Sequence, residues 1–132
     1  MAKNEIGLVI SSIQHALPHG QIDDGPINWS VLAPAPDPYE GVLVPTYGLY
    51  GGPNYSGGVV FGTSFALPGI DLLDEAYRQH DFAYSNALSV QDKATADLIL
   101  LDTISLIPES ELSPEGHLYC MQLQPPSWFW PN

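Results

Sequence analysis

The chain of 132 residues carries 15 acidic side chains against Lys3, Arg78 and Lys93, a formal net charge of −12 at pH 7. That balance repels phosphate backbones and argues against a nucleic-acid partner. The lone cysteine, Cys120, excludes an intrachain disulfide, and a hydrophobic fraction of 45% suffices for one modest core, so residues 1–132 read as a single domain.

The opening residues, MAKNEIGLVISSIQHAL, lack the compact apolar segment and small-residue cleavage site of a secretory leader. No run approaches the roughly 20 apolar residues of a spanning helix. The expected location is therefore cytoplasmic, virion-associated or exported without a cleaved leader. Ile6, Val9, Ile10, Ile13 and Leu17 recur at helical spacing and predict an N-terminal amphipathic helix over residues 1–17. Proline and glycine crowd the stretch from Pro18 to Pro45, which reads as irregular wrapping structure. A glycine-dense loop follows over residues 47–58, YGLYGGPNYSGG. Residues 59–68 are apolar and fit either a short strand or a connecting loop.

The strongest pattern spans residues 70–107. Asp71 can cap a helix whose first turn holds Asp74 and Glu75, where the helix dipole favours acids, and we read Asp74 as a capping and dipole residue. Leu73, Tyr77, His80, Tyr84 and Leu88 mark one face of that helix, with Tyr77 read as a core aromatic. Ser89 offers a second cap, with Asp92 three residues on, and Val90, Ala94, Asp97, Leu101 and Ile104 mark the next stripe. So short a connection predicts an antiparallel helical hairpin. Residues 108–132 read as an irregular tail, in which Trp128, Phe129 and Trp130 either insert at a membrane interface or pack back onto the domain. The whole reads as a mainly α domain.

The hairpin has chemical consequences. His80 lies about as far before the turn as Asp97 lies after it, so the two face each other at one height. A carboxylate there accepts the proton of one ring nitrogen and leaves the other able to act as a base. Asp92, nearer the turn, is better explained as a cap. Asp81 sits a quarter turn from His80 with only Arg78 as a nearby cation, so its carboxylate must be protonated, hydrogen-bonded or bound to a metal. The stretch Tyr50-Gly51-Gly52-Pro53-Asn54 can curl and turn main-chain carbonyls inward, as a hard cation such as Ca²⁺ requires. His15, His19 and His117 show no metal-ligand spacing and receive no role.

Three stretches together resemble one family. LPGIDLLDEAYRQHDFAY resembles the signature of the phospholipase A2 superfamily, with an Asp six residues before a His-Asp pair and a Tyr four after the His. YGLYGGPN resembles its calcium loop. ADLILL resembles the segment carrying the second catalytic Asp in disulfide-free members, such as parvoviral capsid phospholipases and bacterial relatives. The resemblance covers about residues 47–104 and implies a small phospholipase A2-like domain. It also implies a Ca²⁺ cofactor held by carbonyls of Tyr50, Gly52 and Asn54 and by the Asp81 carboxylate. His80 would activate water against the sn-2 acyl ester of a glycerophospholipid, Asp97 would orient His80, and Tyr84 would bond to Asp97. The Gly52 amide would help to stabilise the oxyanion, and the partner would be a phospholipid membrane surface. In this sequence Leu49, Gly51 and Ala76 stand where secreted animal members have cysteines, and Asn54 stands where they have a glycine. Tyr50 and His80 are 30 residues apart, more than in those members, so residues 55–67 are expected to loop out. The alternative is a non-catalytic module on the same scaffold that binds calcium and lipid or a protein. A third reading is a structural domain whose hairpin buries a hydrogen-bonded His and Asp without metal.

Overall fold

The computed structural model describes residues 25–35 and 39–123. The first element, β1 (Ile27–Pro34), pairs antiparallel with β2 (Leu43–Tyr47), from Ile27 opposite Tyr47 to Pro34 opposite Leu43, with a shift in register between Asn28 and Leu32. A second antiparallel pair, β3 (Tyr55–Ser56) and β4 (Val59–Val60), turns through Gly57 and Gly58. Their φ values of +60° and +81° supply the left-handed backbone that a two-residue hairpin needs at both central positions. Three α-helices follow: α1 (Leu72–Ser85), α2 (Val90–Ser105) and α3 (Pro114–Leu118). A 3-10 turn at Glu109–Glu111 precedes α3 and a π turn at Tyr119–Leu123 follows it.

The fold is thus mixed α/β, which corrects the mainly α domain expected from the sequence. Proline, which signals irregular chain, here lies within paired strands. Both sheets have two strands, so every strand is an edge, where a residue without an N–H is tolerated. Pro45 sits inside β2 opposite Leu32, while β1 carries the strand-forming Ile27, Trp29 and Val31. The tail is corrected in the same way, because residues 109–123 form the short helical turns just named rather than irregular chain. The N-terminal helix expected over residues 1–17 and the Trp128–Trp130 segment lie outside the described residues. No described helix is long and apolar enough to cross a membrane.

Helices α1 and α2 begin where the capping residues put them. The Asp71 carboxylate accepts from the Asp74 amide at 2.8 Å, and the Ser89 hydroxyl accepts from the Asp92 amide at 3.0 Å. The buried face of α2 is Ala96, Asp97 and Leu100; of the expected stripe Asp97 is buried, Ala94, Leu101 and Ile104 are half-buried, and only Val90, 68% exposed, departs from it. Leu88 lies in the connection between the helices and is exposed.

The core is dominated by tyrosine. Tyr47, Tyr50, Tyr77 and Tyr119 are fully buried beside Ile27, Val44, Leu73, Leu100 and Leu123. The rings of Tyr47, Tyr77 and Tyr119 meet in a triangle with centroids 5.3 to 6.4 Å apart. Buried tyrosines bring large apolar area but need partners for their hydroxyls. Tyr47 donates to Asp71 at 2.5 Å, Tyr119 to the Pro45 carbonyl at 2.7 Å, and Tyr50 to the Leu67 carbonyl. The core therefore stitches the β1–β2 sheet, the glycine loop and α1 together through side-chain hydroxyls. Cys120 is a buried free thiol within it.

Candidate functional site

The α1–α2 hairpin sets His80 directly against Asp97, with His80 Nε2 and Asp97 Oδ1 2.8 Å apart. Both residues are buried, at 4% and 2% exposure. Tyr84, one turn after His80, donates its hydroxyl to the same Asp97 oxygen at 2.8 Å, and its ring centroid lies 4.5 Å from the imidazole. An ionised carboxylate can only accept, so this contact puts the ring proton on Nε2 and the lone pair of the neutral imidazole on Nδ1. Nδ1 in turn lies 3.9 Å from Asp81 Oδ1. Burial works to lower the imidazole pKa, but hydrogen bonding and negative charge from Asp81 and Asp97 outweigh it, and the ring is held above its ordinary value. Asp92 is remote from this cluster and caps α2, accepting from the Leu88 amide at 2.9 Å.

Asp81 is the site's unbalanced charge. Burial pushes its carboxyl up to about 7, with His80 pulling the other way, and its Oδ2 atom is buried without a hydrogen-bond partner. A buried carboxylate oxygen in that state is costly unless a proton or a cation reaches it.

The glycine loop is fixed to α1 by Asp74, which does more than serve the helix dipole. Asp74 does sit in the first turn of α1, but it is fully buried. Its Oδ2 accepts from the amides of Leu49 and Ile70, both at 3.0 Å, and its Oδ1 accepts from the Tyr50 amide at 2.9 Å. Burial raises the Asp74 pKa against the pull of these three bonds. Gly48 is required beside it, because a Cβ there would stand 2.5 Å from the Asp74 carboxyl carbon and φ is +53°. From the other side Tyr119 donates to the Gly51 carbonyl at 3.2 Å, and Asn28 donates to the Gly48 carbonyl at 2.9 Å. Spacing held a signal for Asp74: positions 74, 77 and 81 follow one helical stripe, which places Asp74 on the same face as Asp81. Nothing local in the sequence marked Tyr119, which reaches the loop from 68 residues away.

Loop and hairpin meet in a cleft of about 560 Å³ lined by Gly52, Asn54, His80, Asp81 and Tyr84, among others. The loop carbonyls divide into two groups. Those of Gly48, Leu49, Gly51 and Asn54 already accept hydrogen bonds, Asn54 from the Phe61 amide at 2.5 Å. Among the described residues no donor reaches the carbonyl of Tyr50 or Gly52, and no acceptor takes the Gly52 amide. Asn54, at φ +53°, holds the left-handed backbone that its place in the loop requires, and its carbonyl keeps one lone pair beyond the Phe61 bond. No cluster of three His, Cys, Asp or Glu able to hold a metal exists among the described residues. A cation here would depend on Asp81 and main-chain oxygens, a donor set suited to a hard ion rather than to zinc.

Comparison with protein-family models, with curated proteins and with solved structures finds no match.

Proposed function

We propose that the chain is a calcium-dependent esterase of the phospholipase A2 type, hydrolysing the sn-2 acyl ester of glycerophospholipids at a membrane surface. The observation that carries this reading is the convergence on one cleft of a buried His–Asp–Tyr relay, an orphaned Asp81 oxygen and the Gly52 carbonyl and amide. A relay of this kind serves proton abstraction. Asp97 fixes the His80 tautomer, Tyr84 holds Asp97, and the Nδ1 lone pair can take a proton from a water in the cleft and return it to the leaving alcohol. The Gly52 amide is a preformed donor for the oxyanion that develops at the ester carbonyl. Asp81 and the carbonyls of Tyr50 and Gly52, with Asn54 as a weaker fourth donor, would hold a Ca²⁺ ion. Bound there, the ion supplies Lewis-acid stabilisation of the reacting carbonyl and of the phosphate. Val59, Phe61 and Leu67 lie exposed on the segment bordering the cleft, apolar surface suited to a lipid interface. A pure binding module has no use for a tautomer-fixing carboxylate behind a buried imidazole, which favours the enzyme over it.

The cation half of this reading is tested by thermal unfolding with calcium and with chelator. An ion at a hundred times its Kd should stabilise the native chain by about 2.7 kcal/mol. Asp81→Asn removes the unbalanced buried charge, so it should melt no lower than wild type in chelator while losing the whole calcium response. A wild-type midpoint that does not move at millimolar calcium would contradict the proposal.

A further inference from the structure

The segment between the glycine loop and α1 is a fixed wall rather than a loose excursion. The Ser56 hydroxyl donates to the Ser64 carbonyl at 2.7 Å, and Arg78 holds the Phe65 carbonyl through Nε and Nη2 at 3.1 and 2.8 Å. The Phe65 ring stacks on Tyr50 and meets Phe82 edge-on, with centroids 6.5 and 5.5 Å away. Within this wall Phe61 is anomalous in two independent ways. Its φ is +61°, a left-handed conformation that a bulky side chain adopts only when its surroundings impose it. The residue is 69% exposed while lining the cleft that holds His80 and Asp81. Glycine or asparagine would make the same turn with less strain and without exposing an aromatic ring. Strain kept at the wall of a cleft points to contact with a ligand.

We propose that Phe61 is a specificity-determining residue, the contact that selects a long acyl chain over a short one. The inference rests on the lipid-ester reading above and extends it to the length of the chain. The cleft offers an amphiphile polar groups from His80, Asp81 and Gly52 and an apolar wall from Pro53, Phe61 and Phe65. Its volume of about 560 Å³ is of the size that takes one small-molecule ligand.

The test compares hexylphosphocholine and dodecylphosphocholine, each below its critical micelle concentration, binding to the full chain in calcium by titration calorimetry. Wild type should prefer the dodecyl probe. Phe61→Gly and Phe61→Asn, both compatible with the left-handed backbone, should lower the dodecyl-to-hexyl affinity ratio about tenfold, the loss expected for one buried aromatic contact. Phe61→Leu, which keeps an apolar contact, should lower the ratio less than threefold. A wild type without chain-length preference, or a ratio unchanged in Phe61→Gly and Phe61→Asn, would overturn the proposal. Fatty acid release read in parallel separates the two claims. An altered ratio without release in wild type sinks the esterase and leaves the Phe61 contact. Release with an unaltered ratio does the reverse.

Discussion

Replacing His80 by Gln should lower calcium-dependent fatty acid release by about 10²–10⁴-fold, the range that a positioned general base typically contributes. Glutamine is the informative choice because it preserves volume and an amide donor where the imidazole donates to Asp97. Alanine would leave a buried carboxylate facing a void, and a buried group stripped of its hydrogen-bond partner costs about 1–3 kcal/mol by itself, more when it is charged. The glutamine variant removes the basic lone pair while retaining a partner for Asp97 Oδ1, which lies 2.8 Å from His80 Nε2. Its melting temperature and calcium response should therefore stay near those of wild type while turnover collapses. Retained turnover in a folded His80→Gln protein would remove the imidazole from the chemistry.

The largest effect on stability is expected at Asp74, outside the relay. Asp74→Ala strips the acceptor from the amides of Leu49, Tyr50 and Ile70. A buried donor left unsatisfied costs about 1–3 kcal/mol; the Tyr50 bond is fully buried and the other two partly so, which puts the total on the order of 3–6 kcal/mol, a large share of a typical small domain's stability. Asp74→Asn keeps one oxygen and should fall between alanine and wild type. Because two of the three amides belong to the glycine loop, the alanine variant should also lose its calcium-induced stabilisation. Denaturant unfolding with and without calcium reads both quantities. If Asp74→Ala unfolds at the wild-type midpoint, the carboxylate is not the tether that its geometry describes.

Legibility in the sequence followed the range of the interactions. Both long helices are built on local rules: caps at Asp71 and Ser89 and a four-residue connection. Residues 80 and 97 therefore declare their proximity through spacing alone, the Tyr84–Asp97 contact is what the family resemblance implies, and the structure brings all three together. The β1–β2 sheet was hidden because its prolines carry the signal of irregular chain. Only the edge status of both strands, a tertiary fact, makes them admissible. For Asp74 a capping and dipole role is sufficient locally, whereas two of its three amide donors, Leu49 and Tyr50, lie 25 and 24 residues away in sequence. Tyr119 was invisible for the same reason, its partners at Pro45 and Gly51 being 74 and 68 residues away. The strain at Phe61 has no signature in composition, since nothing before the fold requires a positive φ at that position.

The central claim is most directly tested by the products formed from phosphatidylcholine vesicles carrying distinguishable acyl chains at sn-1 and sn-2, incubated with the full chain in millimolar calcium or in chelator. The account predicts release of the sn-2 acid and formation of 1-acyl lysolipid in calcium, and neither in chelator. Equal release from both positions, release that persists in chelator, or no release from a folded, calcium-binding chain would contradict it.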